Sequence, residues 1–346
     1  MIRATVVLLL AAGPACAQQP ATVNATLTAI DGIRVGHHTL AERPTGCTVI
    51  LVDGRAVAGV AQRGSAPGTR DTDLLLPVNA ADRIDAVTLS GGSAFGLDAA
   101  NGVMRFLDER QGWLTRLTSG MDVPTVSSAV LIDLWVGGKP SIRPDAECGY
   151  RAAAAASRAP VAEGSVGAGA GATVGKLTGL DRAMKGGIGS AALALPSGLR
   201  VAAIVVVNAL GDVVDPSTGA VVAGARNDAG GLADARRLLR AGAALQRTRV
   251  AENTTLGVVA TNARLTKAEA NRVALMADDG IARAVTPAHT SADGDTVFAI
   301  ATGQWRGAAD SSVIGALAAD LVAEAIVRAV RQATSVAAVP AARDLK

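Results

Sequence analysis

The stretch Val201-Ala202-Ala203-Ile204-Val205-Val206-Val207 presents no polar side chain to water on either side. Successive residues of a strand point to opposite faces, so a strand of this kind must be covered on both. Ser190 to Leu195 precedes it across a Pro196-Ser197-Gly198 turn, and the pair reads as a hairpin. A second apolar run, Leu256 to Ala260, follows the polar pair Asn253-Thr254. Strand patterns also occupy Ile33 to His37, Ala86 to Ser90 and Thr296 to Ala301. Cys47 to Val52 ends in Asp53-Gly54, a hairpin signal, with Ala56 to Gln62 as the expected return strand. Helical periodicity covers Ala94 to Arg110, Asp228 to Ala244, Thr266 to Ala284 and Ser311 to Ala333, and opens the Ala/Gly-rich stretch at Ala152 to Ala156. Thr266 with Glu269 three residues on is a capping box. Paired strands with helices grouped between them predict an α+β fold. The architecture expected is a four-layer αββα sandwich, two central sheets covered by helices. No repeat or linker divides the chain, so residues 18–346 are expected to form one domain.

Hydrophobic residues make up 49% of the 346 and charged residues 18%, enough for a large core and against disorder. Aromatic residues are only 2% and no basic run exists at a net charge of +3, so no nucleic-acid partner is expected. Met1-Ile2-Arg3, an apolar stretch from Ala4 to Ala12 and Ala15-Cys16-Ala17 read as a signal peptide over residues 1–17. Cleavage after Ala17 is favoured over a lipoprotein at Cys16, because Gly13-Pro14-Ala15 is a poor lead-in. The mature chain is then exported, into the periplasm of a Gram-negative source. No later run reaches the roughly 18 apolar residues of a membrane span, so no membrane partner is expected after cleavage. Cys47 and Cys148 remain, and the sequence leaves open whether they pair or are separate small buried side chains.

No C-x-x-C or Cys/His spacing is present, so no metal is expected. Gly175-Lys176 lacks the earlier glycine and the following Ser/Thr of a phosphate loop, and Gly167-Ala168-Gly169 lacks the third glycine of a dinucleotide loop. No cofactor is expected. Gly91-Gly92-Ser93-Ala94-Phe95 misses the last glycine of a nucleophile elbow, and a helix N-cap suffices for Ser93.

The Asn253–Thr254 bond carries a sharper chemistry. If it breaks, Thr254 becomes an N-terminus with hydroxyl and amine side by side, a self-contained nucleophile and base. Asp293-Gly294-Asp295 lies about forty residues downstream, before the strand Thr296 to Ala301. Two carboxylates at a strand edge can orient or activate those groups, whereas an ordinary Asp-Gly turn leaves them solvated. Lys176 stands in an apolar, Gly-rich neighbourhood, and Asn208 ends an apolar strand. Either can serve an oxyanion, or be a surface lysine and a turn residue.

DGIRVGHHT (31–39), TGCTVIL (45–51), VAQRGSAPGTRDTDLL (60–75), LSGGSAFGLDAANGVMRFL (89–107), KGGIGSA (185–191), VNALGDVVDP (207–216) and NTTLGVVATNARLTK (253–267) cover nearly all the mature chain in order. With these segments the chain resembles the β-peptidyl aminopeptidase family, which includes the L-aminopeptidase/D-esterases and the aminohexanoate-oligomer (nylon) hydrolases. The resemblance implies two sheets between helical layers, a homo-oligomer (a tetramer) and self-cleavage into residues 18–253 and 254–346. It implies Thr254 as nucleophile, Lys176 and Asn208 near the carbonyl oxygen, and Asp293 and Asp295 as the acidic pair behind it. The substrate implied is a small peptide or amide with a free amino end. Aminopeptidase members more often have Gly-Ser at the scissile bond and Ser-x-Glu downstream. Asn-Thr with Asp-x-Asp is closer to the nylon-hydrolase branch, which leaves the substrate open.

Three other readings stay open on sequence. An acyltransferase of the ornithine-acetyltransferase type also self-cleaves before Thr, although export argues against it. A serine hydrolase built on Ser93, an Asp and His289 predicts an uncleaved chain. A non-catalytic exported binding protein predicts no processing.

Overall fold

A computed structural model describes residues 24–111, 123–243 and 253–345. The signal-peptide reading of residues 1–17 lies outside the described residues, as does Ala244 at the end of one expected helix. Strand β1 (Ile33–Thr39) pairs antiparallel with β2 (Gly46–Gln62), which then pairs with β4 (Ile84–Ser90). Beyond β4 come β5 (Val126–Val130), parallel to it, and β3 (Gly68–Arg70). A second sheet runs β2, β14 (Thr296–Ala301), β12 (Thr254–Thr261), β9 (Arg200–Asn208), β8 (Gly187–Ala194). Two small ribbons accompany them: β6 (Thr173–Val174) with β7 (Met184–Lys185), and β11 (Val221–Ala223), β10 (Asp212–Val214) and β13 (Val285–Thr286).

The seventeen-residue β2 belongs to both sheets. Its Cys47–Leu51 part pairs with β4, and Val57–Gln62 pairs with β14. The hairpin expected at Asp53-Gly54 therefore does not form. The register slips between Leu51 and Ala56, and Gly54 has φ +75°. A left-handed glycine suits a bulge as well as a turn, and the bulge bends one strand from sheet to sheet. Asp53 closes this corner by accepting from Arg34 (2.9 Å) and Arg158 (2.8 Å).

Three apolar cores separate four layers. Ile50, Val87 and Leu89 of the β4 sheet meet Ile204, Val206, Leu256, Val258 and Phe298 of the β12 sheet. The opposite face of the β12 sheet, with Val201, Ala203, Val205, Val207 and Val297, is covered by α4 (Lys267–Ala284) and α5 (Ser311–Gln332). Val49, Leu51 and Ala86 on the far face of the β4 sheet pack against α1 (Ala99–Gln111) and α2 (Ala146–Ala154). This is the αββα order the two-faced apolar strands demand. Each such Val, Ile or Leu contributes about 1.5–3 kcal/mol by leaving water.

Helix starts follow local chemistry. Thr266 caps α4, and its capping box with Glu269 is complete. Asp310 caps α5 and Asp145 caps α2. Two expected helices are shortened. Ser93–Asp98 forms a 3-10 turn before α1, with Gly92 rather than Ser93 at the cap position. Between Asp228 and Asp234 there is no helix: Gly230 has φ +85° and Asn227 captures the Gly231 N–H, so α3 is confined to Ala235–Arg240 behind its Asp234 cap. Cys47 and Cys148 form a disulfide, Cα–Cα 6.3 Å, joining β2 to α2. Among the described residues, no helix is long and apolar enough to cross a membrane.

Candidate active site

Strand β12 is buried along its whole length, and its first residue is the polar Thr254. That position is held from both sides. Asn208, the last residue of β9, is its antiparallel partner. On the other side an isolated parallel bridge joins Asn253 to Asp293, in the register of the β12–β14 ladder and three residues beyond its first pair, Leu256 with Thr296. The register of the sheet, rather than any local motif, thus brings Asn208, Thr254 and the Asp293-Gly294-Asp295 turn together.

The Thr254 hydroxyl donates to the Asn253 carbonyl of the peptide bond just before it. The same carbonyl oxygen accepts from the Gly294 N–H at 2.9 Å. Gly294 cannot carry a side chain here: a Cβ would lie 2.9 Å from Thr254 Oγ1 and 2.6 Å from the Ala66 carbonyl oxygen. The Asn253 side chain is fully buried, and neither amide atom has a hydrogen-bond partner among the described residues. Leaving such groups unpaired costs about 1–3 kcal/mol each.

The two carboxylates have separate partners. Asp295 Oδ1 accepts from the Thr255 N–H at 2.7 Å. Its Oδ2 accepts the His289 N–H at 3.1 Å and faces His289 Nδ1 at 2.9 Å. Asp293 Oδ2 accepts from the Thr290 N–H (2.8 Å) and hydroxyl (2.6 Å). Burial first, and the neighbouring Asp295 charge second, hold the Asp293 carboxyl above its ordinary range, against the Thr290 hydrogen bonds and the Lys176 charge. Both carboxylates are buried, so neither is a solvated turn charge. The chain that follows β2 holds their backbone, with the Arg63 N–H on the Asp295 carbonyl (3.2 Å) and the Ala66 N–H on that of Asp293 (3.0 Å).

Lys176 is also buried rather than on the surface. Its Nζ donates to the Asn208 carbonyl (2.9 Å) and Oδ1 (3.1 Å), and lies 5.6 Å from the Trp135 ring centre. The β6 residue Thr173 gives its N–H to Asn208 Oδ1 as well (2.9 Å). With donors on Oδ1, the Asn208 amide turns its Nδ2 toward acceptors, among them the Ile132 carbonyl at 3.1 Å.

All five residues singled out in the sequence therefore converge on one junction. Sequence reasoning missed Gly294, read only as a turn residue, and Asp278, which lies inside α4 and faces His289 Nε2 at 3.4 Å. His289 turns both ring nitrogens to carboxylates, so it is not the partner of Ser93. Asp278 sits at a buried position of α4, where a carboxylate breaks the apolar face, and that is the one signal that could have exposed it. Thr254 is 2% exposed with Asn253 attached, so no substrate reaches it in the uncleaved chain. Among the described residues, no group of three or more His, Cys, Asp or Glu is arranged to hold a metal.

The model of Peptidase family S58 matches residues 25–343. An uncharacterized aminopeptidase of Mycobacterium leprae is 45% identical over 344 residues, covering 91% of this chain and 92% of its own. The 6-aminohexanoate-oligomer endohydrolase of Paenarthrobacter ureafaciens is 32% identical over 315 residues, covering 86% and 84%. Among solved structures, the L-aminopeptidase D-Ala-esterase/amidase of Ochrobactrum anthropi, a variant of the Ntn hydrolase fold, aligns with a TM-score of 0.68 at 20% identity. It covers 90% of this chain and 86% of that one, and the two share the layered fold.

Proposed function

The chain belongs to peptidase family S58 and is a hydrolase of peptide or amide bonds, and from that premise we propose that Thr254 is its nucleophile, freed by cleavage of the Asn253–Thr254 bond. The observation that carries this is the Thr254 hydroxyl resting on the Asn253 carbonyl, whose oxygen the Gly294 N–H already holds. Thr254 Oγ1 attacks that carbonyl carbon, and the Gly294 N–H takes the developing oxyanion. The C–N bond breaks, the new amine takes the proton, and Asn253 is left as an ester on Thr254. Water hydrolyses the ester. The chain then ends at Asn253, whose unpaired amide is released from its buried position. A carboxyl held above its usual range, as that of Asp293 is, is a better proton acceptor near neutrality than an ordinary aspartate.

After cleavage the Thr254 α-amine is the base, since free α-amines titrate near about 7.7–8.0. The hydroxyl attacks the substrate amide, with Asn208 Nδ2 and the Gly294 N–H as oxyanion donors and Lys176 holding Asn208. Asp293 and Asp295 form a negative wall suited to a substrate ammonium, so the substrate is a small amide or peptide with a free amino end. Alanine 4-nitroanilide and its N-acetylated form test this. The free amine should react at least about tenfold faster, and Thr254→Ala should lose at least about 10³-fold. Equal rates on both substrates would remove the amino-end preference. A second reading, hydrolysis of 6-aminohexanoate oligomers, is favoured by the Asp-x-Asp pair and the relative that acts on them.

The Cys47–Cys148 disulfide supports an exported protein. Exposed Leu74, Leu76 and Val78 on one loop support assembly into a homo-oligomer, a tetramer on the family's pattern. Light scattering on the purified protein gives the mass that tests it.

A further inference from the structure

Behind the site a line of three side chains crosses from the helical layer to the sheet. Asp278 on α4 faces His289 Nε2 at 3.4 Å, His289 Nδ1 meets Asp295 Oδ2 at 2.9 Å, and Asp295 Oδ1 takes the Thr255 N–H at 2.7 Å. With both ring nitrogens facing carboxylates, the doubly protonated imidazolium satisfies both. His289 takes φ +54°, an unusual backbone for a non-glycine residue, fixed by its own N–H on Asp295. Such a conformation persists only where its surroundings over-determine it, and it clusters at working sites. Asp278 is buried with Oδ1 unpaired among the described residues.

We propose that His289 is a positioning residue for the Thr254 nucleophile, holding the Asp295 carboxylate against the Thr255 backbone while Asp278 holds His289. The chain of contacts leaves Asp295 one carboxylate oxygen for the strand and one for the imidazolium, which fixes its rotation. It also sets a positive charge against one of two adjacent buried aspartates, which offsets their mutual repulsion.

The charged groups facing this line are Arg63 (3.8 Å from Asp278 Oδ2), Asp279 beside Asp278, Asp293 beside Asp295, and Lys176 acting on Asp293. The hydrogen bond that His289 gives to Asp295, then the charges of Asp278, Asp295 and Asp293, raise His289 against its partial burial. Burial raises Asp278 to about 7, with His289 and Arg63 opposing and Asp295 and Asp279 adding. Removing the imidazolium must therefore raise Asp278 further, while removing Asp278 must lower His289.

The proposal rests on Thr254 being the nucleophile, and the test separates the two. Wild type, Thr254→Ala, His289→Gln and Asp278→Asn are compared for processing, thermal unfolding, and kcat and KM on alanine 4-nitroanilide from pH 5 to 9. His289→Gln should lower kcat about 10- to 100-fold with KM within about threefold. It should also move the acid limb of kcat/KM up by about one pH unit or more, the effect of losing an opposite charge at this range. Asp278→Asn should move the opposite, alkaline limb downward. A folded His289→Gln with wild-type limbs, or one whose kcat falls equally at every pH, overturns the proposal. If His289→Gln does not fold, an unmoved alkaline limb in Asp278→Asn overturns it. Unprocessed wild type, or active Thr254→Ala, breaks instead the assignment of Thr254.

Discussion

Two buried polar clusters in this molecule are built on opposite plans. Around Asp133 every charge is matched. Arg43 gives Nη2 to Asp133 Oδ1 (2.9 Å), Nη1 to its carbonyl (2.6 Å) and Nε to the Ile142 carbonyl (2.6 Å). Thr45 and the Gly92 N–H fill the remaining carboxylate positions. Around Thr254, by contrast, the Asn253 amide, the Thr255 hydroxyl and Asp278 Oδ1 are buried without partners among the described residues. Two aspartates one residue apart share that space, and one is pushed up by burial and its neighbour. A satisfied network specifies packing, while a partly satisfied one stores free energy. Under the proposed cut at Asn253, the cluster under β12 would release part of it. The Asp133 cluster has nothing to release, and it holds the turn at Gly92 in place.

The comparison breaks if the two clusters respond alike to mutation. Arg43→Met strands the buried Asp133 charge and should cost about 3–5 kcal/mol of stability, read by urea unfolding, while any protein that folds still processes itself. An equal loss of processing would show the clusters to be one unit. The pH dependence of stability comes next. Asp278 has an ordinary value of 3.8 and about 7 in the folded chain, so between those values the folded state keeps a proton that the unfolded state releases. Stability should therefore fall as pH rises through that window, by up to about 4 kcal/mol from this group at 1.36 kcal/mol per unit. Unfolding of Asp278→Asn at pH 5 and pH 8 should show the slope flattened; an unchanged slope refutes the buried, unpaired state of Asp278. Reducing the Cys47–Cys148 bond should lower stability by about 2–4 kcal/mol, again sparing processing. The smallest effect is mainly kinetic. Gly294→Ala drives a Cβ to 2.9 Å from Thr254 Oγ1 and 2.6 Å from the Ala66 carbonyl oxygen, so the Asp293-Gly294-Asp295 turn must shift. It should slow self-cleavage about 10- to 100-fold, or about 1.4–2.7 kcal/mol, and lower the melting temperature as well.

What the chain announces and what it hides follow the same divide. The β8–β9 hairpin, the capping box of α4 and the length of α5 are local, and their residues declare them. Thr254, Asn208 and the Asp-Gly-Asp turn each stand at a strand end, where polar residues interrupt apolar runs. The continuous β2 was hidden because Asp53-Gly54 serves a bulge and a hairpin equally, and only pairing with β14, more than two hundred residues away, decides. The region 228–234 kept a helical apolar pattern, yet Gly230 and the Asn227 side chain take its backbone elsewhere. Asp278 showed only as a carboxylate on the apolar face of α4, because burial and the ring of His289, not its own spacing, give it a role.

We propose that the Thr254 hydroxyl, lying on the Asn253 carbonyl, breaks the bond before it. Intact-mass measurement and N-terminal sequencing of purified, active protein test it most directly. Two fragments are expected, the smaller beginning Thr254-Thr255-Leu256 and absent from Thr254→Ala. Active protein that remains a single chain through residue 254 would contradict it.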